Sequence, residues 1–301
     1  MKKVLVLIAV VGLVAWAMAP GTQAGLKTAS SSASVAQLII DGDDYNGDGT
    51  PDIAIFRESN GGWYTNGQAN VFWGMTDDVP ASGDFTGDGT TNRVVFRPSS
   101  GRWWIHGVYP GWPGGRAYYW GRTDDIPVPA DYNGDFYTDT AVWRPSTAQW
   151  WIKGQAPVYF GKDGDAPVPG DYDGDGSADI AIFRPAHVDP HFTYDGRWWV
   201  RGLTTVWFGT TGDKAVPGDY NGDGTTQMAV FRPSYGRWYI NGEGYVTFGS
   251  SDSVPRAFDY DGDGTADRTV FNPSSSQWII YQKTTISFGQ TGDQAVSGTA
   301  Y

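Results

Sequence analysis

The 301-residue chain has no cysteine, so no disulfide staples it and no thiol is available as a nucleophile. Glutamate is almost missing as well: Glu58 and Glu243 are the only two, and nearly all of the acid is aspartate. Glutamate suits helices, whereas aspartate suits short turns and compact metal loops. No helical periodicity is found beyond the first 24 residues. No later apolar run approaches the roughly 18 residues that a membrane helix needs. Basic residues are also short, with 21 Lys and Arg against 33 Asp and Glu, a formal net charge of −12. Nucleic acid is therefore a poor partner, since binding it needs a basic stripe. Histidines are few, there is no Gly-x-Ser-x-Gly elbow, and a glycosidase's carboxyl pair is hard to find with so little glutamate. A non-enzymatic protein is expected.

Residues 1–24 read as a secretory signal peptide: Lys2 and Lys3, an apolar run from Val4 to Ala19, then small residues. Cleavage is expected after Ala24, because Pro20 would follow a bond cut at Ala19. The alternative is a retained membrane anchor. The expected location is outside the cell or on its surface, reached by bacterial-type export, with no stable membrane span after cleavage. Losing Lys2 and Lys3 would make the chain more acidic still. Residues 25–37 are rich in Ser and Ala and read as a linker, leaving residues 38–301 as one repeat domain.

That domain carries six copies of one acidic loop, starting at Asp44, Asp84, Asp131, Asp171, Asp219 and Asp259, at spacings of 40, 47, 40, 48 and 40 residues. They are numbered loops 1 to 6 below. Positions 1, 3, 5 and 9 offer side-chain oxygens, position 7 offers a backbone carbonyl, and glycine at position 6 permits a sharp turn. This is the ligand rhythm of the first part of an EF-hand loop, so calcium is the expected ion, at up to six sites. Loop 4 (Asp171, Asp173, Asp175, Ser177, Asp179) and loop 6 (Asp259, Asp261, Asp263, Thr265, Asp267) each have four aspartates and are expected to bind most tightly. Loop 1 (Asp44, Asn46, Asp48, Thr50, Asp52) comes next. Loop 3 keeps Asp131, Asn133, Asp135 and Asp139, but Phe136 takes the glycine position and would strain a turn that needs positive φ. Loop 5 (Asp219, Asn221, Asp223, Thr225) ends at Gln227, and loop 2 joins Asp84 and Asp88 with Thr86 and Asn92. Weak or empty sites are expected in these two. The alternative for all six is a set of metal-free Asx turns. In an exported chain without cysteine, calcium would take the stapling role that disulfides otherwise fill.

Between the loops the text repeats as well. An alternating apolar run ends in Arg-Pro, as in Ile180-Ala181-Ile182-Phe183-Arg184-Pro185, and an aromatic segment such as Gly101-Arg102-Trp103-Trp104-Ile105 follows. A short strand then ends in Phe-Gly (Phe160-Gly161, Phe208-Gly209, Phe248-Gly249, Phe288-Gly289), and a stretch like Ala166-Pro167-Val168-Pro169-Gly170 leads into the next loop. Four short strands per unit of about 40 residues predict an all-β fold, a β-propeller of six four-stranded blades. Ala295 to Tyr301 resembles the strand before a seventh loop, and can replace or join a strand near Leu38 to Ile40 to close the ring. From about Leu38 onward the chain resembles the integrin-like FG-GAP/VCBS repeat family of calcium-binding β-propellers. The likeness rests on Phe-Gly, then Gly-Asp-Tyr-Asn/Asp-Gly-Asp-Gly-x-x-Asp, then the alternating strand, repeated through the chain. Phe-Arg-Pro stands where that family has Gly-Ala-Pro, a variant familiar from bacterial VCBS-type repeats.

Trp63, Trp103, Trp150, Trp198, Trp238 and Trp278 recur once per unit and read as core. Arg57, Arg97, Arg144, Arg184 and Arg232 also recur, with Asn272 in the sixth unit. The resemblance implies that they lie on the face opposite calcium beside Asp124-Asp125, Asp163/Asp165 and Asp213, and structural Arg–Asp pairing is the first reading. Two departures from the repeat are candidate ligand loops, since binding sites concentrate on loops that a rigid scaffold presents. One is Val108 to Arg116, with Tyr109, Trp112 and Arg116; the other is Ala186 to Asp195, with His187, Asp189, His191 and Tyr194. His187, Asp189 and His191 could hold a transition metal, but a plain solvated loop is the first reading. The resemblance implies a calcium-rigidified binding or adhesion module for an extracellular protein or matrix ligand. A lectin that binds glycans is the alternative, with Trp112 its best candidate, and an extracellular hydrolase is a remote one.

Overall fold

The computed structural model describes residues 43–107, 115–185 and 196–296. All belong to the unit spanning residues 32–301. They form a ring of six four-stranded antiparallel blades, a six-bladed β-propeller. Blade 2, from the axis outward, is Val79–Pro80, Val94–Arg97, Arg102–Ile105 and Arg116–Tyr119. Blade 3 is Ile126–Pro127, Ala141–Arg144, Gln149–Ile152 and Val158–Tyr159. Blade 4 is Ala166–Pro167, Ala181–Arg184, Arg197–Val200 and Thr204–Trp207. Blade 5 is Lys214–Ala215, Ala229–Arg232, Arg237–Ile240 and Tyr245–Thr247, and blade 6 is Val254–Phe258, Asp267–Asn272, Gln277–Ile280 and Thr284–Ser287.

The sequence pattern follows burial across each blade. Second strands such as Val94-Val95-Phe96 are buried on both faces, so their apolar residues run on without alternation. Third strands alternate: Trp103 and Ile105 are buried while Arg102 and Trp104 are partly exposed. Fourth strands face solvent. The six recurring tryptophans are all 0–1% exposed, which is the core role expected of them. Each core cluster spans two blades, as where Val94, Phe96 and Trp103 of blade 2 pack with Val142 and Trp151 of blade 3. No blade buries its faces alone. The Phe-Gly or Trp-Gly glycine has a packing reason: Gly121 sits at φ 136, and a Cβ there would lie 2.9 Å from the Phe96 ring.

Blade 1 is built from both ends of the domain. Its second to fourth strands are Ala54–Arg57, Gly62–Thr65 and Val71–Phe72, and its innermost strand is Gln294–Val296. The register pairs Ala54 with Val296, Ile55 with Ala295 and Phe56 with Gln294. The C-terminal strand thus closes the ring, and Leu38 to Ile40 lie outside the described residues. An ion pair reinforces the seam: Arg57 Nε and Nη2 donate to the two Asp293 carboxylate oxygens at 2.7 and 3.0 Å. The same bidentate pair recurs as Arg97–Asp78, Arg144–Asp125, Arg184–Asp165 and Arg232–Asp213. In blade 6 both partners change together, with the Ser253 hydroxyl donating to Asn272 Oδ1 at 2.5 Å. Removing one member of such a pair strands a buried charge, whereas changing both avoids that cost. Arg57→Met, which strands the buried Asp293 carboxylate, should therefore cost about 3 kcal/mol, measured as a lowered midpoint in urea unfolding. An unchanged midpoint would mean that the seam does not limit stability.

Candidate functional site

Each acidic loop leads into the second strand of its blade, and loops 2 to 6 connect it to the first strand, so the loops share one face of the ring. The frame of each loop comes from backbone amides. The position-6 amide (Gly49, Gly89, Phe136, Gly176, Gly224 or Gly264) donates to the position-1 aspartate at 2.7–3.0 Å in all six. The position-2 amide donates at 2.6–3.1 Å to a position-9 side-chain oxygen, from Asp52, Asn92, Asp139, Asp179, Gln227 and Asp267 in turn. Asn92 and Gln227 lack a carboxylate yet keep this acceptor, so position 9 has a role in loop folding that needs no charge. Neighbouring loops are joined too. The amides of Thr91, Thr138, Ala178, Thr226 and Ala266 donate to the carbonyls of Asp44, Asp84, Asp131, Asp171 and Asp219 at 2.6–2.7 Å. The sixth equivalent residue is Pro51, which has no N–H to give.

Among the described residues two groups of acids can hold a metal ion: Asp171, Asp173 and Asp179 in loop 4, and Asp259, Asp261 and Asp267 in loop 6. Within each group the ligand oxygens lie within 4.8 Å of one another. An all-oxygen donor set of this kind suits a hard cation. The two loops differ in what already occupies them. In loop 6 the Lys283 ammonium lies 2.5 Å from Asp261 Oδ2, 2.5 Å from Asp267 Oδ1 and 3.7 Å from Asp263 Oδ2. In loop 4 the residue at the same place, just before the fourth strand, is Leu203. Burial, and then repulsion from Asp173, Asp171 and Asp175, raises the Asp179 carboxyl to about 6.

The remaining loops are partly filled by their own amides. Gln227 Nε2 in loop 5 donates to Asn221 Oδ1 and the Thr225 carbonyl, and lies 3.4 Å from Asp223 Oδ1. Gln68 Nε2 and Asn46 Nδ2 both donate to Asp52 in loop 1. Asn133 Nδ2 donates to Asp139 in loop 3. Thr50, Thr225 and Thr265, at position 7, donate their hydroxyls to Asp48, Asp223 and Asp263, and their amides, with that of Ser177, donate to the same position-5 aspartate of each loop. In loop 2 the Thr90 hydroxyl donates to Asp88. Phe136 does take the strained backbone expected of it, at φ 67.

Of the candidate ligand loops, Tyr109, Trp112, His187, Asp189, His191 and Tyr194 lie outside the described residues. The flanking strands place the first insert's attachment on the acidic-loop face and the second's on the Arg–Asp face. Arg116 opens the fourth strand of blade 2, exposed, with its guanidinium 5.3 Å from the Tyr118 ring centre. Sequence reasoning did not find the outer rim. Phe72, Tyr119, Tyr159, Trp207 and Tyr245, on the fourth strands of blades 1 to 5, are 55–74% exposed. Arginines stack beside several of them: Arg102 between Trp104 and Tyr119, Arg197 between Trp199 and Trp207, and Arg237 against Tyr245. The axis holds a cavity of about 580 Å³, lined by first strands and by Asp43, Asp44, Asp84 and Asp131, with Arg256 its one basic lining residue. Burial lowers Arg256 to about 10, and it donates to the carbonyls of Pro255 and Ala295.

No protein-family model and no curated protein matches the chain. Similar solved structures include an Agrocybe aegerita lectin described as recognising non-reducing terminal N-acetylglucosamine. It is 17% identical with a TM-score of 0.52, over 85% of this chain and 79% of that one. Another is BBS1N in complex with ARL6DN, 11% identical with a TM-score of 0.51, over 84% of this chain and 81% of that one. Both likenesses are of fold.

Two outcomes follow from the loop geometry. Phe136→Gly should raise the melting temperature by relieving about 1 kcal/mol of left-handed strain; a lowered one would show that the Phe136 ring contributes more than its backbone costs. In chelator, the stability linked to the raised Asp179 carboxyl is full below about pH 4, its unfolded pKa, and is lost as pH rises through about 6. Asp179→Asn should flatten that part of the stability–pH curve, and an unaltered curve would exclude Asp179 as its source.

Proposed function

We propose that this chain is a calcium-stabilised β-propeller of the FG-GAP/VCBS type that works outside the cell as a non-enzymatic binding module. The leader-like residues 1–24 support the extracellular setting. Support for calcium comes from the donor set of loop 4, where oxygen ligands converge without an internal cation. Asp171, Asp173, Asp175 and Asp179 would hold the ion there, with the Ser177 carbonyl in the position-7 role. A bound divalent ion would offset the repulsion among these carboxylates and tie the strand-connecting hairpin together. Because loop 4 also bonds to its neighbours, stiffening it would stiffen the adjoining blades.

The observation that carries the binding role is the aromatic rim. Five exposed rings stand on the fourth strands of five blades, with Phe72, Tyr119, Tyr159 and Trp207 at one register position and Tyr245 two residues away from it. Exposed Tyr and Trp carry a large apolar face beside a polar tip, which suits them to contact a ligand at a wet surface. Arg197 covers one side of Trp207, whose remaining exposure leaves ring surface for a partner. Flat rings in repeated, separated positions suit the apolar faces of sugar rings, so a glycan is the favoured ligand. An extracellular protein or matrix partner is the second reading, since exposed Tyr, Trp and Arg are also the residues that anchor protein interfaces.

Two measurements test this. Excess chelator should lower the melting temperature by many degrees; an unchanged melt removes calcium from the account of stability. A broad glycan array probed in calcium, with N-acetylglucosamine-ended glycans included because a protein of this fold is named for them, should give specific signals that Trp207→Ala reduces several-fold. A blank array from folded, calcium-loaded protein would turn the search to protein partners.

A further inference from the structure

Loops 4 and 6 carry the same four aspartates in the same register, and their strands, turns and amide frames correspond. Position 1 accepts the position-6 amide at 3.0 Å in loop 4 and 2.8 Å in loop 6. Position 9 accepts the position-2 amide at 2.9 and 3.0 Å. A ligand count would give the two loops equal affinity. One residue outside the loops separates them: the turn between the third and fourth strands ends in Leu203 in blade 4 and in Lys283 in blade 6.

We propose that Lys283 is the resident cation of loop 6, and that it decides which of the two four-aspartate loops takes a divalent ion. The proposal rests on the calcium reading of the loops given above. Its ammonium contacts Asp261 and Asp267, two of the three residues that form the loop 6 metal group, and lies near Asp263. An ammonium is a compact point charge with three donors, so it can satisfy several carboxylates from one position. A divalent ion entering beside it would meet a like charge at contact distance, which is strongly unfavourable in a partly buried site. The ion must therefore expel Lys283, which is tethered to the same hairpin and competes at high effective concentration. Among the described residues no other blade repeats this arrangement: at the same turn position stand Gln68, Gln155, Leu203 and Glu243 in blades 1, 3, 4 and 5.

The placement has a structural consequence. Loop 6 abuts loop 1 where the chain closes on itself, and there Pro51 stands in place of an amide donor. A Cβ added at Gly262 would lie 3.1 Å from Thr50 Cγ2, so the two loops pack closely at this junction. With Lys283 in place, loop 6 keeps a cation between Asp261 and Asp267 whatever the supply of metal. The seam then holds in conditions that empty loop 4.

Calcium bound per chain, counted by native mass spectrometry on the full folded domain, tests the assignment. Lys283→Met keeps the side-chain stem, removes the charge, and should gain one ion over wild type. A variant that gains none overturns the proposal, whether or not wild type binds calcium; a wild type that binds none separately overturns the calcium reading. Hydrogen exchange on the unmutated protein gives a second, independent readout. Chelator should increase exchange at Gly176, Ser177 and Ala178 and leave Gly264, Thr265 and Ala266 unchanged. Equal deprotection of both loops would show that loop 6 depends on metal and would overturn the role of Lys283.

Discussion

The position-1 aspartate of each acidic loop is the interaction on which the ring depends. Its carboxylate gathers amides of its own loop, which fixes the turn leading into the second strand. Its carbonyl, in five of the six loops, receives an amide from the next loop, which fixes one blade against another. A single residue type thus couples local turn formation to the long-range order of blades. Side-chain acceptors that take several backbone amides are strong because the acceptor is charged and the donors would otherwise be buried without partners.

The opposite face uses a different device for the same purpose. Arginine at the end of the second strand in blades 1 to 5 reaches the aspartate that precedes the first strand, and its guanidinium lies over the third-strand aromatic, as Arg97 does with Asp78 and Trp104. Planar stacking and bidentate bonding both favour arginine over lysine at that place. Blade 6 lacks the pair and substitutes Ser253 and Asn272, so the blade next to the seam carries less charge on this face. On the loop face that blade carries Lys283 among its carboxylates. Blade 6 is distinct from its neighbours on both faces.

Loop chemistry and rim chemistry divide the molecule into a frame and a surface. Acidic loops, ion pairs and inter-blade tryptophans account for rigidity, and no ligand is needed to explain their recurrence. The exposed rings of the fourth strands are only partly covered by neighbouring side chains such as Arg102 and Arg197, and Tyr159 and Trp207 point most of their surface into solvent. A scaffold that holds separated aromatic platforms at fixed spacing suits a ligand with repeated features, because simultaneous contacts raise avidity when the geometry matches.

Much of the fold was legible in the chain because its determinants are local. Period, turn residues, alternating strands and one buried tryptophan per unit state a six-bladed propeller, and the strand-like Ala295-Val296 pointed to closure at the C-terminus. The strain at Phe136 could be read from one residue standing where glycine was wanted. Tertiary structure alone decided what lies outside each repeat's own text. Lys283 is sixteen positions beyond Asp267 and enters loop 6 only because the third and fourth strands fold back over it. Gln68 meets Asp52 by the same route. The fourth-strand aromatics read like any other strand residues until the blade showed which side faces solvent. Sequence determines the backbone pattern through neighbour interactions; charge neutralisation and exposure are set by residues brought together across turns, and those distances exist only in the folded ring.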